Sequence, residues 1–551
     1  MIAWFRQLRR ASGNPARIAR QNPVWAVQKL VFAPFRFARD LFGVLVLMVA
    51  VAIVLILATD ALIWYFRPGD TIIALIQVVI GLAVLLIPLR ALFQPLILHY
   101  GNADADDTHG SARFATDAEA RDLTGDMGLL IGRDRKSGKL LRYPGPAHLL
   151  TIASTRSGKG VGTIIPNLLE YPFATVCINP KGENARIAAR QRGRFGPVHI
   201  LDPFGITGVI SAAAYNPLDR IDPTGLDVAD DCMTLADALV HDAHNEQTEA
   251  HWNEEAKALI AGLLMHIVAS EPAATRTLAT LRDHLTLAPA AFTALLDRMQ
   301  QAGGLIARAA NRQLGKSDRE AAGVLSSAQR HTHFLDSPRM TETLRHSDFR
   351  FADLKERPVS IFLVLPPDRL DTYARWLRLM IAQALTELVR APGRPPWPVL
   401  FLLDEFAALG HLEPVERAMG LMAGYGIQLW PIVQDMHQLQ ALYGKRAGTF
   451  LSNAGVLQVF GVNDQESAQL VSDLLGQETV VFETMSRALD GQGSGITFGQ
   501  QHVGRPLLTP DEVRTLSPDR QLLFLAGQRP VIANKLRYYA DREFAGRFDT
   551  A

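Results

Sequence analysis

The 551-residue chain is long for one domain, and its 48% hydrophobic and 20% charged residues are those of a folded protein, not a disordered one. Lys+Arg number 56 against 55 Asp+Glu, a net charge of +1, so no global positive field announces nucleic acid and any DNA contact must come from local patches. The only cysteines, Cys177 and Cys232, exclude a disulfide framework and have no partner at metal-ligand spacing.

In chain order, residues 1–40 form a basic tail carrying Arg6, Arg9, Arg10, Arg17, Arg20, Lys29, Arg36 and Arg39, with no acidic residue before Asp40. Leu41 to Thr59 is free of charge, and a helix of that length spans about 28 Å, close to the hydrocarbon thickness of a bilayer. A second apolar run covers residues 71–87, with Gln77 its one strongly polar side chain. Between them lies the turn Arg67-Pro68-Gly69-Asp70, with Trp64 and Tyr65 beside it where an interfacial aromatic belt would fall. A cleaved signal peptide has a single, earlier apolar core. The competing buried hairpin of a soluble domain rarely carries charge-free runs of this length. The pattern therefore predicts a two-helix transmembrane anchor over 41–98. The positive-inside rule keeps the tail, and with it the large C-terminal part, in the cytoplasm.

After a polar linker, Gly101 to His109, short apolar runs alternate with helical patterns. Strands are expected at His148–Ile152, Ala174–Ile178, Val198–Leu201, Val359–Leu365, Val399–Leu403, Ile427–Val433, Val456–Phe460 and Leu522–Leu525. Runs apolar on both faces and separated by helices indicate the parallel sheet of an α/β fold. That rhythm stops between Leu226 and His346. There Val228, Cys232, Leu235 and Leu239 share one helical face, as do Trp252, Ala256, Leu259, Leu263 and Ile267. An all-helical insertion over 226–346 is expected, dividing a nucleotide-binding domain into parts 99–225 and 347–551. Asp490 to Gly495 is expected to be a mobile loop.

The strongest local signal follows the first of these strands: Ser154-Thr155-Arg156-Ser157-Gly158-Lys159-Gly160-Val161. A loop opening onto a helix N-terminus aims backbone N–H groups and the helix dipole at phosphate. Gly158 permits close approach, and Lys159 would neutralise the β- and γ-phosphates. The pattern departs from the usual phosphate-binding loop at both ends, with Ala153 in place of Gly and Gly160 in place of Ser or Thr. Gly160 brings no hydroxyl to Mg²⁺, which leaves that role to a water or to Thr163 one turn later.

A second element completes the site. The run Val399–Leu403 ends in Asp404-Glu405, and a buried strand delivering two adjacent carboxylates is costly unless they meet a cation. In ATPases of this kind the first acid holds Mg²⁺ and the second polarises the attacking water, which assigns Asp404 to the metal and Glu405 to catalysis. Gln434, at the end of the next strand, stands where a γ-phosphate sensor would be. An ordinary polar residue at a strand end would look the same.

The sequence resembles the TraG-type coupling proteins of type IV secretion. The motifs that carry the likeness are Thr155-Arg-Ser-Gly-Lys-Gly-Val-Gly162 with Ile165-Pro166-Asn167, Asn179-Pro-Lys-Gly-Glu183, Leu201-Asp-Pro-Phe204, Asn216-Pro-Leu-Asp219 and Leu403-Asp-Glu-Phe406. His109-Gly-Ser-Ala-Arg-Phe114 and Arg505-Pro-Leu-Leu-Thr509 add to it. The resemblance implies a RecA-like P-loop ATPase that works as a hexamer, using ATP and Mg²⁺ at the bacterial inner membrane. It further implies that the helical insertion receives cargo, relaxase–DNA complexes or effector proteins, for a type IV secretion channel. Gly-Lys-Gly at the loop is common in that family. Two alternatives belong beside it: a DNA pump of the FtsK or HerA type, and a nucleotide-binding docking receptor with little hydrolysis. Arg375, Arg378 and Arg417 are candidates for an arginine acting on a neighbouring subunit's site, which leaves that residue unassigned. His331 and His333 are expected at the surface. Lys181 and Glu183 follow a strand on the catalytic edge, to meet phosphate, a neighbouring subunit or each other.

Overall fold

The computed structural model describes residues 109–209, 212–240, 250–487 and 496–550, with scattered helical positions between 42 and 64; of 481–487 and 496–501 it describes the backbone alone. No helix among the described residues is long and apolar enough to cross a membrane. The basic tail, the two expected spans apart from those scattered positions, and the loop Asp490 to Gly495 lie outside the described residues.

The chain divides into two units. In the smaller, β10 (Gln477–Arg487) and β11 (Ile496–Pro506) form an antiparallel hairpin in continuous register from Gln477↔Pro506 to Arg487↔Ile496, with Ser111 bridged to Glu478.

The larger unit is built on an eleven-stranded sheet. Its parallel part runs in the order β9 (Ala454–Phe460), β3 (His148–Ala153), β8 (Ile427–Val433), β7 (Val399–Leu403), β4 (Thr175–Asn179), β6 (Ser360–Val364) and β5 (Val198–Leu201). These strands sit on the apolar runs of the sequence because both faces of the sheet are covered. Leu149, Cys177, Phe362, Leu400, Leu402 and Trp430 pack on one side, whereas Leu150, Val176, Ile178, Ile361, Phe401 and Leu403 pack on the other. An antiparallel extension continues beyond β9 through β12 (Arg520–Leu525), β13 (Val531–Asn534), β1 (Leu129–Arg133) and β2 (Leu140–Tyr143). The run at Leu522–Leu525 is thus a strand as expected, but it lies antiparallel to β9 and not within the parallel set.

Between β5 and β6 the described chain forms helices only, the longest being Ala250–Ser270 and Asp318–Thr332. Within Val228–Leu239, Cys232, Leu235 and Leu239 are buried, as are Ala256, Leu259, Leu263 and Ile267 of the following helix. This segment meets the sheet-covering helix Leu370–Arg390 through polar contacts that include Tyr215 Oη donating to Glu387, Ala352 N donating to Glu387 Oε2 at 3.2 Å, and Arg390 pairing with Asp231. His331 is not at the surface. It falls on the buried stripe of its helix with Val324, Ser327 and Ala328, and its Nε2 lies 2.9 Å from Asn253 Oδ1. His333 is exposed.

Two polar devices fix the sheet at its two ends. Trp430 Nε1 donates to Thr151 Oγ1 at 2.8 Å, which donates to Gln458 Oε1 at 2.8 Å; Gln458 Nε2 donates to Gln521 Oε1 at 2.7 Å, and Gln521 Nε2 to the Ile131 carbonyl at 2.7 Å. This chain of bonds ties five strands together across β3, and every link is satisfied, which is what makes a buried network tolerable. At the opposite end of the strands Arg192 is wholly buried, donating to Ser360 Oγ at 2.7 Å and to the carbonyls of Tyr171 and Phe173.

Candidate nucleotide site

β3 and β4 follow one another in sequence but are separated in the sheet by β8 and β7. Such a break in strand order opens a crevice at the carboxyl ends of the strands. Into it project the loop after β3, the acids after β7 and Gln434 after β8.

The loop leaves β3 at Ala153 and enters one π-helical turn, Gly160–Ile164, before the helix Ile165–Glu170. Ser157 N and Oγ both donate to the Ser154 carbonyl, at 3.2 and 2.6 Å, and Asn463 Nδ2 reaches Ser154 Oγ at 3.3 Å. Gly158 has φ 95°, a conformation that favours glycine. Among the described residues the only non-glycine positions with positive φ are Arg156 (62°) and Glu405 (50°), and both belong to this site. Strained backbone gathers where function over-determines it, at roughly 1–3 kcal/mol each.

Lys159 reaches across the crevice to β7. Its Nζ is 2.5 Å from Glu405 Oε1 and 3.5 Å from Asp404 Oδ1. Gln434 Nε2 donates to Glu405 Oε2 at 3.0 Å, while its Oε1 accepts from Thr155 Oγ1 at 2.9 Å. Lysine, both acids, the glutamine and the loop threonine are therefore one hydrogen-bonded group. Burial pushes Asp404 up, against the pull of Lys159, and the adjacent Glu405 adds to the rise. Burial acts on Glu405 in the same sense, but there the Lys159 ammonium, Gln434 and Lys181 outweigh it and hold the carboxyl below its ordinary range. Asp404 and Glu405 supply the hard oxygen donors that Mg²⁺ prefers, and among the described residues the hydrogen-bonding and ionic partners of Asp404 are Lys159 and the Glu405 amide.

Thr163 does not face the crevice. It is buried, and its hydroxyl donates to Gln458 Oε1 at 3.1 Å, so that side chain is committed to the cross-sheet network. A Cβ added at Gly160 would meet nothing within 4 Å, so its lack of a side chain is not a steric demand of the surroundings. Gly162 differs: a Cβ there would stand 2.8 Å from the Leu536 carbonyl oxygen.

Of the three arginines, Arg378 is buried and donates to the carbonyls of Leu409 and His411, at 2.8 and 2.5 Å. It holds the chain that follows the acids. Arg375 is half-buried, and Arg417 is exposed beside Glu413. Lys181 is exposed, and Glu183 begins the helix Glu183–Gly193. Motif reading missed Lys535, whose Nζ donates to the Ser157 carbonyl at 2.7 Å. It lies after a short strand far along the chain, and nothing local in the sequence marks it.

The family described as type IV secretory system conjugative DNA transfer matches residues 116–550. The conjugal transfer protein TraG of Escherichia coli is 31% identical over 448 residues, covering 74% of this chain and 69% of that protein. Protein VirD4 of Agrobacterium fabrum is 28% identical over 503 residues, covering 83% and 69%. Among solved structures, the plasmid coupling protein TrwB in complex with ADP and Mg²⁺ superposes with a TM-score of 0.60 at 18% identity, covering 80% of this chain and 97% of that one. At that identity the likeness speaks to the fold alone.

Proposed function

The chain belongs to the type IV secretory system conjugative DNA transfer family, and from that premise we propose how it works as a coupling ATPase of type IV secretion. The observation that carries the proposal is the Lys159–Glu405–Asp404–Gln434 group, drawn from the ends of three neighbouring strands onto one phosphate loop.

The amides of Ser154 to Val161 and the Lys159 ammonium bind the phosphates of ATP. Asp404 is the residue to hold Mg²⁺, which when bound supplies positive charge to the phosphate oxygens. Lys159 rests on Glu405 at 2.5 Å; phosphate competes for the ammonium and leaves Glu405 to orient and polarise the attacking water. Gln434, already bonded to Glu405 and Thr155, reports from β8 on the γ-phosphate. The TrwB structures, in complex with a non-hydrolysable ATP analogue and with ADP and Mg²⁺, support carrying the same ligands to this chain.

The remaining assignments follow family membership and the sequence. Residues 41–98 anchor the chain in the inner membrane as two helices, with the tail 1–40 and the body in the cytoplasm. Residues 226–346 are the all-helical part that receives cargo, set within a RecA-like motor of residues 99–225 and 347–551. The chain assembles as a homo-oligomer, a hexamer, and passes relaxase–DNA complexes or effector proteins to the secretion channel. Lys159→Ala tests the assignment: transfer is expected to stop while membrane insertion persists. Normal transfer by that variant would count against the site.

A further inference from the structure

The phosphate loop is also gripped from the side that its motifs do not cover. Lys535 follows β13, and its Nζ, besides bonding the Ser157 carbonyl at 2.7 Å, stands 5.0 Å from the centroid of the Phe460 ring at the end of β9. Its backbone is fixed: Lys535 N donates to the Asp519 carbonyl at 2.9 Å, the Leu536 carbonyl abuts Gly162, and Tyr538 N donates to the Val161 carbonyl at 3.4 Å. No carboxylate among the described residues pairs with the ammonium; Asp519, whose charge it feels, is bonded by Arg537.

A half-buried ammonium resting on a carbonyl and an aromatic face has given up water without gaining an anion. An anion arriving beside it restores that loss. Sheet order says which part of a ligand this would be. β9, β12 and β13 lie to one side of β3, whereas β8 and β7 lie to the other. Glu405 and Gln434 occupy the β8–β7 side, so the reacting end of a nucleotide belongs there. The rest of its phosphate chain leads back along the loop, toward Ser157 and Lys535.

We infer that Lys535 is a second phosphate-contacting lysine, which grips the non-reacting phosphates of the nucleotide from the β13 side while holding the loop through Ser157. The inference rests on the nucleotide reading of the loop. Because those phosphates are common to ATP and ADP, the contact stabilises ground state and transition state alike, and its loss raises KM without lowering kcat.

The test uses the full-length chain in detergent. Lys535→Gln keeps a donor for the Ser157 carbonyl but removes the charge, and Lys535→Arg restores it. For Lys535→Gln the Kd for ADP and the KM for ATP are expected to rise about tenfold, the worth of one charge-assisted hydrogen bond, with kcat within about twofold. Lys535→Arg should recover most of the affinity. Unchanged Kd and KM in Lys535→Gln, or a fall in kcat at unchanged Kd, overturns the inference. Lys159→Ala, measured alongside, separates the two levels. If it loses ATP binding while Lys535→Gln does not, only Lys535 is misassigned; if neither loses it, the loop is not a nucleotide site at all.

Discussion

Acidification should loosen the strand that delivers the phosphate loop, and the effect can be worked out at one histidine. His148 opens β3 and is buried. Its Nδ1 accepts from Leu429 N at 3.0 Å, so the proton sits on Nε2, which donates to the Ala418 carbonyl at 3.0 Å. A second proton has no acceptor to meet, and burial lowers the pKa from 6.5 to about 4 even though the Ala418 bond acts the other way. Above pH 6.5 neither folded nor unfolded chain carries the charge, and this contribution to stability is fully present. As pH falls from there toward 4 the unfolded chain takes up a proton that the folded chain refuses, so stability is lost across that window. At about 1.4 kcal/mol for each pH unit between the two values, the loss totals about 3 kcal/mol, of which about 2 kcal/mol has gone by pH 5.

The assay is urea unfolding followed by tryptophan fluorescence, since Trp376 and Trp430 are both fully buried. Other histidines with lowered pKa, His199, His266 and His284, contribute in the same sense. The comparison is therefore between the wild type and His148→Gln, which can keep both hydrogen bonds but does not titrate. Between pH 7.5 and pH 5 the wild type should lose about 2 kcal/mol more than the variant. Equal losses would refute the reasoning.

Two further substitutions probe the frame of the site. Gly162→Ala drives a methyl group against the Leu536 backbone oxygen and is expected to cost about 1–3 kcal/mol, whereas Gly160→Ala, with open space around it, should be neutral or slightly stabilising. Thermal melting ranks the two, and the reverse order would contradict the packing described. Arg192→Met leaves the Tyr171 and Phe173 carbonyls without their donor and is expected to cost about 3 kcal/mol or more in unfolding free energy. A loss below about 1 kcal/mol would show that water or a neighbour takes over those carbonyls.

The parallel strands were legible because each is covered on both faces and so reads as an unbroken apolar run. β2, with Leu141 its only fully buried residue, gives no such run, and β1 and β13 are short strands of the antiparallel extension. β12 runs antiparallel to β9, a direction that no periodicity within Leu522–Leu525 records. Lys159, Asp404, Glu405 and Gln434 were legible because each terminates or follows a recognisable strand. Arg378 was not, since a buried arginine bound to carbonyls looks in sequence like a solvated one. Thr163 and His331 carried a partial signal. Both occupy buried helical faces, but only the partners Gln458 and Asn253, distant in sequence, decide what their polar atoms do.

The central claim is that the acids of β7 and the lysine of the loop make an ATP-hydrolysing centre. Steady-state hydrolysis by the assembled protein, wild type against Glu405→Gln, tests it most directly, with ATP binding measured on both. The wild type should turn over at least about a hundredfold faster while the two bind ATP equally. A wild type no faster than the variant would mean that this pocket binds nucleotide without driving transport.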